Sequence, residues 1–262
     1  MYMAGTRRGR TVQSIAVLGV FTALTTAATM FLSVSIPVTK GYFNIGETMV
    51  YTSALLFGPF IGAFTGGVGS MLADLFLGYV IYAPATLVVK GLEGFLVGFL
   101  GSKRPFKSEA AWRAFSLISG AALAVVVGYV GLTLYSGSLE ATWGFGPWTV
   151  TSAGPEVPGA FWIGLAAACF VLVSYAGFKI DPGVGWVVIA VLIGGLEMVS
   201  GYFIYEQAVL GYYALAEVPI NIGQATVGLL VSVPLTKAVK RALAYSAKPT
   251  EMAPARPQKE KA

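Results

Sequence analysis

Between Tyr42 and Gly94 the chain is almost wholly apolar and rich in glycine, yet it carries Glu47, Asp74, Lys90 and Glu93. That combination constrains the fold more than any other feature. A charged side chain near the bilayer centre costs roughly 2.5–3.5 kcal/mol on insertion scales, so such groups persist where they face a partner, a cavity or a ligand. The stretch therefore reads as the wall of a polar site inside a membrane protein. Composition agrees: the chain is 56% hydrophobic and 11% charged, against about 25% charged in soluble domains. Its 33 glycines suit close helix packing in lipid. The single cysteine, Cys169, leaves no disulfide within the chain. The absence of histidine removes histidine metal sites and every Ser-His or Cys-His catalytic arrangement.

Arg7, Arg8 and Arg10 precede an apolar run, as in a secretory signal. The run from Thr11 to Ile36 is nevertheless long enough to span, and the chain beyond it is as apolar. The expectation is an all-α integral membrane protein with about eight spans. They fall near Val12–Ser35, Thr48–Phe60, Ile61–Tyr79, Pro84–Ser102, Trp112–Tyr135, Gly159–Phe178, Gly185–Tyr205 and Val218–Ala238. The short second and third segments meet in a tight turn at Gly58-Pro59, and Asp181-Pro182-Gly183 marks another turn. Pro84 and Pro219 suit the first turns of their helices, where a missing N–H costs nothing.

Threading eight spans from a cytoplasmic N-terminus sorts the basic residues by the positive-inside rule. Arg7, Arg8, Arg10, Lys103, Arg104, Lys107, Arg113, Lys179, Lys237, Lys240, Arg241 and all later basic residues fall inside. Lys40 falls outside, and Lys90 lies within a span. The expectation is a multi-pass plasma-membrane protein with both termini cytoplasmic. The net charge of +5 is a topology signal and gives no reason to invoke nucleic acid. Residues 1–245 read as a single transmembrane domain, and 246–262, rich in Pro, Ala, Lys and Glu, as a disordered cytoplasmic tail.

Thr86, Lys90 and Glu93 share one helix face, and Lys90 and Glu93 can pair at i,i+3. The pair either pins helices together or leaves one member free for a ligand. Asp74 is a second acid nearby, placed either in the site or at the solvated outer boundary. Glu217, Asn221, Gln224 and Gly228 share a face of the last segment, as Glu197 and Gly201 do on the seventh. Acids and amides suit a small molecule with donors and acceptors on its rim. Singly, each serves equally as an interhelical hydrogen bond of about 0.6 kcal/mol; as a set converging at one leaflet they favour binding. Tyr42, Phe43, Tyr79, Tyr82, Tyr202, Tyr205, Tyr212 and Tyr213 cluster at the outer ends, where an interfacial aromatic belt accounts for most of them. Phe43 and Tyr82, in short connections, are the candidates for stacking on a planar ligand. Ala16, Gly19, Ala23 and Ala27 form a small-residue stripe on the first helix; Gly58, Gly62 and Gly66 form another. Such stripes serve internal packing or docking to a second membrane subunit.

The segment YFNIGETMVYTSALLFGPFIGAFTGGVGSMLADLFLGYVIYAPATLVVKGLEG resembles the substrate-binding (S) component of energy-coupling factor (ECF) transporters. So do the arginine-rich start before a small-residue helix and the later GGLEMVSGYFIYEQ and EVPINIGQATVG. The likeness covers about residues 7–104 and 184–242. It implies a six-helix membrane protein that captures a vitamin or related micronutrient from outside. Its partners would be a membrane-embedded coupling (T) subunit and two ABC ATPase subunits. The ligand would lie under the loop from Pro37 to Gly46, against Asn44, Lys90, Glu93, Glu197, Asn221 and Gln224. Ala16, Gly19, Ala23 and Ala27 would dock the coupling subunit. Residues 105–183 depart from the pattern, with two additional spans and a long external loop from Ser136 to Pro158. The Tyr-Phe-Asn-Ile-Gly stretch and the lysine–glutamate helix look most like members associated with riboflavin or a thiamine precursor.

The leading expectation is thus a transport component that binds without chemistry, with no cofactor, metal or catalytic residue. Its expected contacts are Phe43, Asn44, Tyr82, Lys90, Glu93, Glu197, Asn221 and Gln224, with Lys90 meeting an anionic or carbonyl-bearing ligand. No G-x-x-x-x-G-K-[ST] loop is present to bind ATP. A proton-coupled secondary carrier is the alternative, since intramembrane acids also serve proton relays; it calls for inverted repeats, and none is evident. An intramembrane enzyme using Asp74, Glu93 or Glu197 as acid or base is the third reading.

Overall fold

The computed structural model describes residues 7–36, 41–106, 108–134, 136–143, 150–209, 211 and 214–246. Lys40, Lys107, Tyr212, Tyr213 and the tail from residue 247 onward lie outside the described residues, as do 37–40 of the first loop and 144–149 of the later one. Contacts divide the chain into two units: Met1–Lys103 with Val187–Ala262, and Arg104–Trp186.

The first unit begins with α1 (Arg7–Phe31), which stops short of the expected boundary at Ser35. The next residues form β1 (Ser33–Ile36), which pairs antiparallel with β2 (Gly41–Asn44), Ser33 opposite Asn44 and Ile36 opposite Gly41. Ser-Val-Ser-Ile alternates polar and β-branched residues, the period of a strand.

Beyond the hairpin, α2 (Glu47–Phe57) has 11 residues and a length of about 16 Å. That is half of the roughly 30 Å hydrocarbon core, and nine of its residues are buried. It is a half-span, so seven of the eight helices are long and apolar enough to cross a membrane among the described residues. The expected turn follows: Gly58 has φ +91°, a conformation glycine adopts without strain, and Pro59 opens α3 (Pro59–Leu77). Gly78, at φ +86°, closes α3, and α4 (Ala83–Gly101) starts with Pro84 in its first turn, as expected.

α3 and α4 approach through glycine. A Cβ added at Gly62 would lie 2.7 Å from the Gly94 carbonyl oxygen and 2.8 Å from Ala54 Cα; one at Gly66 would lie 2.7 Å from the Lys90 carbonyl oxygen. Gly62 and Gly66 of the second small-residue stripe are therefore internal packing, whereas a Cβ at Gly58 would meet nothing within 4 Å. Val50, Tyr51, Ala54, Leu55, Val97 and Val191 form one apolar cluster, and Tyr82, Val89, Met198 and Tyr202 a second. α7 (Pro182–Val209) and α8 (Ala214–Ser246) both outrun the apolar segments that announced them. Since α8 starts at Ala214, Pro219 lies inside the helix, not in its first turn as expected. Membrane helices tolerate such a proline because neighbouring groups satisfy the freed carbonyl.

The second unit holds α5 (Glu109–Leu134) and α6 (Gly159–Lys179), in contact where Gly131 meets the Trp162 ring and Gly177 meets Ser116. Between them β3 (Gly137–Trp143) pairs antiparallel with β4 (Val150–Val157). The turn signal at Asp181 proves to be a helix cap: Asp181 Oδ1 accepts from the Gly183 N–H at 2.9 Å.

Gly62→Val should cost about 1–3 kcal/mol by overpacking, read as a lowered melting temperature in detergent. Gly19→Leu, at a position with nothing within 4 Å, should melt as the wild type does. Equal melting of the two variants would contradict the close approach of α3 and α4.

Candidate functional site

Lys90, in the middle of α4, is buried at 4% exposure. Its ammonium donates to Glu47 in the first turn of α2 and, at 3.1 Å, to Glu93 Oε2 one turn along α4. Glu93 Oε1 accepts from the Tyr51 hydroxyl at 2.7 Å. The i,i+3 pair is thus a triad, with two carboxylates for one ammonium. Removing ions from water costs several kcal/mol each, so each is tolerable only because the others are there. Glu47 is also favoured by its place in the first turn, where unpaired N–H groups and the helix dipole attract negative charge.

The triad ties the first turn of α2 to α4, and the non-helical backbone just before that turn is buried in the protein. Such backbone must be satisfied by protein. The Asn44 N–H donates to Gln224 Oε1 at 2.8 Å, and the Gly46 N–H donates to Asn44 Oδ1 at 2.8 Å. Gln224 Nε2 donates to Asn221 Oδ1 at 2.9 Å. The Tyr42 hydroxyl donates to Asp74 Oδ1 at 2.6 Å, and its ring stacks on Tyr79 with centroids 4.4 Å apart. Burial first, and then the Asp74 carboxylate, raise the Tyr42 phenol above its ordinary pKa, so it stays a donor.

Under this hairpin lies a cavity of about 40 Å³. Tyr42 and Asn44 of β2, Asp74 of α3, Tyr82, Thr86 and Lys90 of or beside α4, Tyr202 and Glu206 of α7, and Glu217, Asn221 and Gln224 of α8 line it. The volume holds a few waters at most. Pockets for drug-sized ligands run to about 300–1,000 Å³, so the cavity as it stands is too small for a molecule of that size.

Of the eight expected contacts, Asn44, Tyr82, Lys90, Asn221 and Gln224 line this cavity and three do not. Glu93 lies behind Lys90, fully buried. Phe43 packs over Gly223, its ring 3.6 Å from where a Cβ there would stand; along a strand its side chain points opposite to those of Tyr42 and Asn44. Glu197 is half-buried beside Gly201. Asp74, at 2% exposure, is buried in the site, not solvated at a boundary. Glu206, which the sequence did not single out, is also 2% exposed. It follows the apolar segment's end at Tyr205, but α7 continues to Val209 and carries it into the wall on the face of Tyr202, at i,i+4. Ala16, Gly19, Ala23 and Ala27 are all exposed along α1.

A model of the ECF-type riboflavin transporter S component family matches residues 9–148, just over half of the chain. The chain belongs to this family. The match takes in the hairpin, the half-span and the triad and runs on through α5, past residue 105. With seven apolar helices of spanning length, the chain is a multi-pass membrane protein of transporter-component type. It is 50% identical over 74 residues to an uncharacterized protein in the gap 3′ region of Pyrococcus woesei, which is 28% of this chain and 49% of that protein. It is 29% identical over 90 residues to the thiamine precursor transporter HmpT of Lactococcus lactis, 34% of this chain and 54% of HmpT. The chain thus spans about half the length of the curated relatives it matches.

Lys90→Met should destabilise the protein by about 3–5 kcal/mol, because it strands two buried carboxylates. Adding Glu47→Gln and Glu93→Gln should recover more than half of that loss. Denaturant unfolding in mixed micelles reads both values.

Proposed function

We propose that this chain is the membrane-embedded substrate-capture subunit of an ECF-type ABC importer. It would bind a vitamin or related micronutrient at the outer face and deliver it inward with a coupling subunit and two ATPases. The observation that carries this reading is the polar cavity roofed by the β1–β2 hairpin, in a chain of the riboflavin-transporter S component family. It is a binding function and not an enzymatic one. Asn44, Asn221 and Gln224 would address the ligand's polar rim and Tyr82 its ring face. Two of the Lys90 ammonium's three protons are already engaged by Glu47 and Glu93, which leaves one for a ligand. Glu93 and Glu197 would act from behind the wall, and Phe43 by holding the hairpin on α8. The ligand range runs from riboflavin, named by the family, to a thiamine precursor, named by HmpT.

Charge supports the orientation. Arg7, Arg8 and Arg10 start the helix that leads to the hairpin, Lys103 and Arg104 follow the end of α4, and Lys237, Lys240 and Arg241 lie far along α8 from Glu217. By the positive-inside rule both termini would lie on the cytoplasmic side of the plasma membrane, with the hairpin outside. The exposed stripe of Ala16, Gly19, Ala23 and Ala27 would seat the coupling subunit, since small side chains admit a close helix.

In proteoliposomes holding this chain, the coupling subunit and both ATPases, uptake of riboflavin or of the thiamine-precursor pyrimidine should require ATP. Gly19→Leu should reduce uptake and co-purification with the coupling subunit at least about tenfold, while leaving ligand affinity of the isolated chain intact. Uptake by this chain alone that collapses with the proton gradient would establish the secondary-carrier reading instead.

A further inference from the structure

A polar cleft of about 300 Å³ lies within the second unit, where α5 begins, α6 ends and the chain turns into α7. Glu109, Trp112, Arg113, Phe178, Lys179 and Asp181 stand in its wall. It shares no residue with the cavity under the hairpin. The family match ends at residue 148, so Phe178, Lys179 and Asp181 fall outside it.

Both acids of this wall already have work within the protein. Glu109 Oε2 accepts from Arg113 at 2.6 Å. Asp181 Oδ1 accepts from the N–H groups of Gly183 at 2.9 Å and Val184 at 3.3 Å. The donors are in surplus. Lys179 forms no ion pair among the described residues. Arg113 gives one guanidinium nitrogen to Glu109 and keeps N–H groups on the others. Trp112 is 5% exposed, and its indole N–H is buried without a partner. A buried N–H without an acceptor is costly, and a ligand oxygen placed there removes the cost.

The position of the cations narrows the ligand. Arg113 lies over the Phe178 ring at 5.5 Å, and Lys179 over the Tyr175 ring at 5.8 Å. Both rings are exposed near the end of a helix long and apolar enough to span. Cation–π contact thus holds the two charges beside an apolar surface that lipid covers. The ends of spanning helices lie at the level of the lipid headgroups.

We propose that this cleft binds the phosphodiester of a membrane phospholipid, with Lys179 and Arg113 on its charged oxygens and the Trp112 N–H donating to a third. A phosphodiester offers acceptors and no donors, which complements the surplus in the wall. Inorganic phosphate has the same oxygens, but only a lipid also lays acyl chains along the exposed Tyr175 and Phe178 rings. The site gives the α5–α6 unit a binding role of its own, whatever the cavity under the hairpin captures.

The test is native mass spectrometry of the purified, delipidated full chain with three probes: phosphatidylglycerol, diacylglycerol and inorganic phosphate. Phosphatidylglycerol should bind at least about tenfold tighter than either of the others. Lys179→Gln, a change at an exposed position, should weaken it roughly fivefold or more. Trp112→Phe, which keeps an aromatic ring and whose melting temperature reports intact folding, should weaken it about threefold or more. Lys237→Gln removes the same charge outside the cleft and should leave the affinity unchanged. Equal losses in Lys179→Gln and Lys237→Gln would overturn the inference in favour of diffuse attraction. Unchanged affinity in both Lys179→Gln and Trp112→Phe would overturn it as well. So would diacylglycerol binding as tightly, which makes the cleft an apolar groove only, or inorganic phosphate binding as tightly, which makes free phosphate the ligand.

Discussion

A single buried ammonium organises the site. Lys90 sits on α4 between Glu93 of its own helix and Glu47 of α2, and Glu93 also takes the Tyr51 hydroxyl. A lone lysine at this depth would be expelled or neutralised; with two carboxylates and a phenol around it, the charge is retained. That pairing ties the first turn of α2 to α4. A helix of 11 residues is too short to cross the bilayer, but it reaches from Lys90 to the Gly58-Pro59 turn.

From this follows the character of the cavity. Buried backbone outside a helix or sheet ladder must be satisfied by side chains, and Gln224 and Asn44 do so here. The hairpin is thus held by side-chain hydrogen bonds to α3 and α8, while α3 and α4 meet closely at glycines. The same arrangement leaves α1 with an exposed small-residue face.

Much of this was legible in the sequence. Long apolar runs announced the seven spanning helices, because lipid demands length and apolarity directly. The Lys90–Glu93 pair and the Glu217–Asn221–Gln224 face were visible because both lie within one helix, at fixed spacing. Glu47 as the partner of Lys90 was not, since the two are 43 residues apart and only the tertiary fold brings them together. The strand at Ser33–Ile36 was hidden because four residues of period two vanish inside an apolar run long enough to be read as helix. Glu206 escaped notice because it stands one residue past the Tyr205 end of the apolar segment, whereas α7 continues to Val209. Phe43 lies off the cavity because of strand parity: with Tyr42 facing the cavity, its neighbour faces away.

The central claim is that the Lys90 triad holds the half-span and the hairpin in place. Hydrogen–deuterium exchange of the purified full chain, wild type against Lys90→Met, tests it most directly, since exchange resolves local opening from global unfolding. The account predicts that amides of residues 41–57 lose protection in the variant while those of α3 and the second half of α4 keep theirs. Equal protection of residues 41–57 in both proteins would contradict it, and would mean that the hairpin and α2 are held by packing alone.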